Sequence, residues 1–388
     1  MHHTESIFPQ RNRYMMGAIA VGVVGLVLSI VGAIFDLEGF FQSYLVAYLY
    51  WVGVTVGCFS LMMLMNLLDG ALSFSTQRFF AAGARTLPIM ALLFVPIAVG
   101  VGYLYPWTSP SIAETLPAAK ASYYTIAFFL LRAAIYFVIW IALAYIISQW
   151  SYQNDKEKSQ GLKDRISRLS VAGILLFFVT GTFAAIDWNM SLDPKWFSSL
   201  YGLVYITREA LAAMALAVVM IGLVWNRLPL TDSARAKALT DLGSVLLASV
   251  MVWAYMEFFQ FLIIWQGNVP TKAAWYAARS GGAWSVYIGI VVFLHFFVPL
   301  ILLLMPGFKD SIKRLMVVAG LLLVMRLFEL LWAVLPAYSS DFSFSWLNFV
   351  LPVALGGIWV ATYLWLLKDH RLLPAIHAEW QQEVAAQE

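Results

Sequence analysis

Ten mostly apolar runs of about 20 residues or more alternate with shorter polar stretches along the chain. They lie near 15–35, 44–68, 84–105, 121–148, 169–188, 197–225, 239–264, 283–305, 315–335 and 345–367. Each can cross roughly 30 Å of hydrocarbon as a helix, rising about 1.5 Å per residue. Lipid offers no partner to an open backbone, so the pattern predicts helices that satisfy their own hydrogen bonds. The chain reads as an all-α integral membrane protein of ten spans, one polytopic domain over 1–388. The polar stretch "SYQNDKEKSQGLKDRIS" after the fourth run reads as a cytoplasmic loop. With the short turn after the fifth, it allows two four-helix bundles, spans 2–5 (about 44–188) and spans 6–9 (about 197–335). Spans 1 and 10 then flank them. The first run is longer than a signal core and is followed by Asp36 and Glu38, not by a small-residue cleavage site, so it reads as a retained anchor.

Composition agrees: 62% of residues are hydrophobic, 12% are charged and the mean hydropathy is +0.80, outside the range of soluble domains. Charge placement adds an orientation. Of the 24 Lys and Arg, seventeen fall on the side that holds both termini, and only Lys120, Lys195, Lys272 and Arg279 fall on the other. The positive-inside rule places both termini on the cytoplasmic side of a membrane, with lipids around the spans. The net charge of +3 follows from this bias and gives no reason to invoke nucleic acid. Trp107, Trp188, Trp196, Trp265 and Trp284 fall near predicted outer ends, as an interfacial belt would. Small residues four apart in span 1, Ala18 with Gly22 and Gly25 with Ser29 and Ala33, predict a closely packed partner helix.

Redox-centre chemistry has little to stand on. The lone cysteine, Cys58, excludes an internal disulfide and an all-cysteine cluster, and reads as a packing residue. Of His2, His3, His295, His370 and His377, only His295 lies in a predicted span, so paired axial ligands for a membrane haem are lacking. No metal-ligand spacing or nucleotide loop appears, and no residue stands out as catalytic.

The spans do carry ionisable residues, which are costly in lipid, about 2.5–3.5 kcal/mol each at the centre. Arg132 lies in span 4, Asp187 at the end of span 5, Arg208 and Glu209 in span 6, Glu257 in span 7, His295 in span 8, and Arg326 and Glu329 in span 9. Arg326 and Glu329 can meet as an i, i+3 pair, whereas the successive Arg208 and Glu209 point about 100° apart and need partners elsewhere. The three arginines balance Glu209, Glu257 and Glu329 in formal charge. Pro299 frees the carbonyl of His295 and favours a kink there, and Gln260 lies one turn from Glu257 on the same face. Two readings fit: buried ion pairs that hold helix register, or a hydrated proton path or quinone-head pocket.

The segment "FFQFLIIWQGNVP", followed by "WYAARSGGAW", resembles the NrfD-like membrane subunits of alternative complex III, a bacterial quinol:electron-acceptor oxidoreductase, and among them the smaller kind, ActF. "YWVGVTVGCFSLMMLMNLLDGA" and "RFFAAGARTLPIMALLFVPI" are similar as well. Relatives often carry a histidine where this chain reads "MNLLDG", and acidic residues after "GNVP", where Thr271 and Lys272 stand here. The resemblance implies a subunit that binds no redox cofactor alone. It implies partners: a larger NrfD-like subunit, an iron–sulfur subunit, multihaem and monohaem cytochrome c subunits and small membrane subunits. Those partners would carry the haem c and iron–sulfur clusters, with menaquinone or another quinone as the electron source. Expected roles are complex assembly and proton translocation. A stand-alone secondary transporter using the same charges, or a purely structural anchor for cytochromes, are the alternatives.

Overall fold

A computed structural model describes residues 10–367 apart from 69, 229 and 340. His2, His3, His370, His377 and the basic residues of the C-terminal tail lie outside the described residues. Ten helices within them are long and apolar enough to cross a membrane: Arg11–Phe35 (span 1), Leu37–Met65 (span 2), Ser75–Val99 (span 3), Ile126–Glu157 (span 4), Gln160–Leu192 (span 5), Tyr201–Arg227 (span 6), Asp232–Gly267 (span 7), Ala283–Leu304 (span 8), Ile312–Ala337 (span 9) and Leu347–Leu366 (span 10). The protein is an all-α, multi-span membrane protein.

Several helices run beyond their apolar cores, because helical hydrogen bonding does not stop where the sequence turns polar. The stretch expected to be a loop between spans 4 and 5 is mostly helix. Only Lys158 and Ser159 separate Glu157 from Gln160, and Lys158 takes a left-handed conformation (φ 47°) that reverses the chain. Spans 1 and 2 are separated by Asp36 alone, whose Oδ1 caps the second helix by accepting from the Gly39 N–H at 2.8 Å. Span 3 begins earlier than its apolar run, within a helix over Ala71–Ala84, and then breaks into short turns at Pro88 and Pro96. Arg78, expected in a loop, is therefore buried inside the protein, paired with Asp155 and lying over the Tyr152 ring.

Span 2 is the central element. It packs against spans 3, 5, 6 and 10, while spans 6, 7, 8 and 9 contact one another in turn. Its apolar window is 83% buried, against 22% for spans 1, 7 and 8. The partner of span 1 is span 10. Gly22, Gly25, Ser29 and Gly32 form one buried seam, spaced 3, 4 and 3, where the sequence suggested two faces. A Cβ at Gly22 would sit 3.2 Å from the Gly357 backbone, and one at Gly25 would meet Ala354. The opposite face, including Val24, Val27 and Ile34, is exposed.

The expected tryptophan belt is not there. Trp107, Trp188, Trp196 and Trp284 are buried, and of the five only Trp265, at 63% exposure, faces outward. The rings find aromatic partners in the protein: Trp196 stacks on Trp275 at 4.9 Å, and Trp188 on Phe137 at 5.8 Å. Stacking and burial outweigh the interfacial preference of indole here.

Candidate functional site

Spans 6, 7 and 9 bring five charged side chains into one buried network, with His295 of span 8 beside it. Arg208 donates through Nη2 to Glu257 at 2.9 Å, and its Nε contacts both the Glu257 carboxylate and Oε1 of Glu329, the latter at 2.8 Å. Arg326 donates to Glu209 at 2.6 Å and to Glu329 at 3.2 Å. Glu329 is thus the hub between two arginines, and the Trp253 indole donates to it at 3.2 Å. Arg208, Glu209, Arg326 and Glu329 are all at most 3% exposed, whereas the Glu257 side chain is 22% exposed. Arg208 and Glu209, though successive, serve different partners because the helix turns them apart.

His295 sits behind this hub. Its Nδ1 lies 3.9 Å from Glu329 Oε2, its ring packs on Trp253 at 4.3 Å, and neither ring nitrogen has a hydrogen-bond partner among the described residues. The backbone around it is distinctive. Phe293–Phe297 forms a π-turn in which the Val298 N–H reaches back to the Phe293 carbonyl. Pro299, four residues after His295, cannot close the ordinary bond, and the wider turn absorbs the defect that the sequence predicted as a kink.

Arg132 and Asp187 do not join this network. They form a separate pair between spans 4 and 5, two-pronged at 2.9 and 2.8 Å, with the Tyr136 hydroxyl donating to Asp187 at 2.7 Å. Arg132 gives its remaining contact to the Tyr123 carbonyl at 3.0 Å and lies 3.7 Å from the Tyr123 ring centre. The charge balance expected from three arginines and three glutamates therefore breaks. The first pair is neutral, and the network of spans 6–9 holds two arginines against three carboxylates. Its formal charge is −1, or zero when one carboxylate or His295 carries a proton.

Gln260 is buried and bonds outside the charged network, its Oε1 accepting from Ser198 at 3.1 Å. The "GNVP" segment is a helix-to-helix corner. Asn268, left-handed at φ 42°, caps span 7, and Pro270 opens the helix Pro270–Ser280. That helix buries Trp275 and Arg279. Arg279 donates to the Ala333 carbonyl at 3.0 and 3.1 Å near the end of span 9, where the helix dipole favours a cation. Burial pushes its pKa down to about 10, so it is still charged at neutral pH.

Sequence reasoning missed the residues that make room for this network. Gly53 and Gly57 of span 2 lie against Glu209. A Cβ at Gly53 would stand 2.1 Å from Glu209 Oε2, and one at Gly57 would stand 2.0 Å from its backbone oxygen. The signal was present as the G-x-x-x-G spacing of "GVTVG". Trp253, one turn before Glu257, was also passed over as an apolar position. Comparison with protein-family models finds none that matches the chain, and comparison with curated proteins finds no match.

Proposed function

We propose that this chain is a haem-free, NrfD-like subunit of a bacterial quinol-oxidising electron-transfer complex of the alternative complex III kind, and that its second bundle conducts protons through Glu257, Glu329 and Glu209. The carboxylate excess carries the proton-transfer half of this reading. A buried network with matched charges has no need of a proton. One with a surplus carboxylate in a low-dielectric interior must hold a proton or another cation to be neutral. Glu257, the partly exposed member, is the entry, and Glu329 passes charge between the two arginines. His295, next to Glu329 and free of hydrogen bonds among the described residues, is the alternative seat of the proton.

Membership of the complex is supported by the motif residues around "QGNVP" and by the ten-span architecture. The large apolar faces of spans 7 and 8, with Phe258, Ile263, Phe293 and Ile301 exposed, suit membrane partners as well as lipid. The larger NrfD-like subunit, the iron–sulfur subunit and the cytochromes c would be those partners. The charge bias supports cytoplasmic termini, and the resemblance supports a bacterial cytoplasmic membrane. The two span 7 side chains that could meet a quinone head, Gln260 and Glu257, are already engaged by Ser198 and Arg208.

Purification in mild detergent tests the reading. Co-purification with c-type haem and iron–sulfur partners is expected, and a stable monomer lacking them would overturn it. A second reading, a stand-alone secondary transporter, draws on the π-turn within span 8 beside mid-span charges. It predicts substrate uptake by liposomes that contain this chain alone.

A further inference from the structure

The two buried arginine–carboxylate sites differ in how fully they are satisfied. Arg132 clamps Asp187 with two parallel bonds and gives its third to a carbonyl. Arg326 meets Glu209 through a single contact, Nη2 to Oε1. That end-on geometry leaves Arg326 Nε and Glu209 Oε2 without partners among the described residues, although both side chains are at most 3% exposed. Covalent geometry keeps these two atoms close to the contact itself. Tyr205 lies one turn before Glu209 on the same face of span 6. It is 3% exposed, and its hydroxyl is likewise unpartnered among the described residues.

A donor and an acceptor are thus left open at the contact between spans 6 and 9, with a hydroxyl that can do both one turn away on span 6. Buried polar atoms are rarely left unsatisfied, and the usual remedy when no side chain reaches them is an ordered water making about three hydrogen bonds. The carboxylate faces Gly53, which has no side chain to supply the bond, and the Tyr50 hydroxyl of span 2 donates instead to the Leu323 carbonyl at 3.1 Å.

We propose that Tyr205, Glu209 and Arg326 form a buried hydration site whose ligand is a water molecule, or that water carrying the surplus proton, with Tyr205 as a positioning residue and Gly53 making room for the Glu209 carboxylate. The site follows from hydrogen-bond satisfaction alone; its use as the relay that carries a proton out of the network rests on the proton-transfer reading above.

The experiment uses the full chain with whatever partners co-purify, in lipid nanodiscs, with water itself as the probe. A density map is expected to show a water oxygen within hydrogen-bonding distance of both Glu209 Oε2 and Arg326 Nε. Infrared spectra are expected to show a buried-water O–H stretch that shifts on exchange into 18O-labelled water. Tyr205→Phe, which removes one partner and keeps the ring, should move that band toward weaker hydrogen bonding without loss of assembly. A map in which Glu209 holds Arg326 through both oxygens with no density between them overturns the site, and so does a band unmoved in Tyr205→Phe. Neither readout needs turnover. If the site is seen but Glu257→Gln leaves proton release unchanged, the proton-transfer reading fails and the hydration site stands.

Discussion

Neutralising a cation and neutralising an anion of the same network should have very different consequences. Arg326→Gln removes the only charged partner of Glu209 among the described residues and one of two for Glu329. It takes the network from two arginines against three carboxylates to one against three. Glu209 is 1% exposed, so bulk solvent cannot take the arginine's place. Breaking a buried pair in this way costs about 3–5 kcal/mol. Glu257→Gln acts in the opposite sense. Glu257 shares Arg208 Nε with Glu329, so two carboxylates crowd one donor. The amide oxygen of glutamine still accepts from Arg208, and the loss of a charge-assisted bond, about 1 kcal/mol, is offset by relief of the repulsion between carboxylates. The net effect should lie within about 1 kcal/mol of zero. The assay is the thermal unfolding midpoint in nanodiscs at neutral pH and a fixed heating rate, since unfolding of such a protein is read as a rate-dependent midpoint. Arg326→Gln should show a large downward shift, with Glu257→Gln near wild type. Equal losses in the two variants would refute the idea that the network carries a surplus negative charge.

The other expectations concern separate parts of the molecule. Gly57→Ala should destabilise the protein more than Gly53→Ala, because the new methyl meets the Glu209 backbone rather than the end of its side chain; unfolding midpoints of the two variants decide the order. In an assembled complex, Glu329→Gln should abolish proton release while Asp187→Asn lowers stability and leaves proton release intact; a purely structural network would leave release unchanged in both. Asn268→Gly should be nearly neutral for stability, whereas Asn268→Val, forced into left-handed backbone, should cost about 1–2 kcal/mol in unfolding.

Much of the architecture was legible because membrane insertion imposes a one-dimensional rule. A span must be apolar over about 20 residues, and that length is visible without knowing any neighbour. Boundaries were less legible: the helices of spans 4, 5 and 7 continue into polar sequence, where hydrogen bonding and not hydropathy sets the end. Local spacing also gave the Arg326–Glu329 pair and the disturbance at His295, since both follow from helical periodicity and from the missing N–H of Pro299.

What the sequence could not divide was the set of charges among helices. It listed three arginines and four acids at similar depths, and formal counting made the glutamates balance. Only the packing of span 4 on span 5 takes Arg132 to Asp187 and leaves the remaining network one carboxylate in excess. The same holds for the tryptophans, whose position along a helix predicted the membrane interface and whose neighbours in space instead made them core. Composition and period determine that a residue lies in a span and on which face. Which helix that face meets is decided by tertiary packing, here by Gly53 and Gly57, whose missing side chains let span 6 bring Glu209 against span 2.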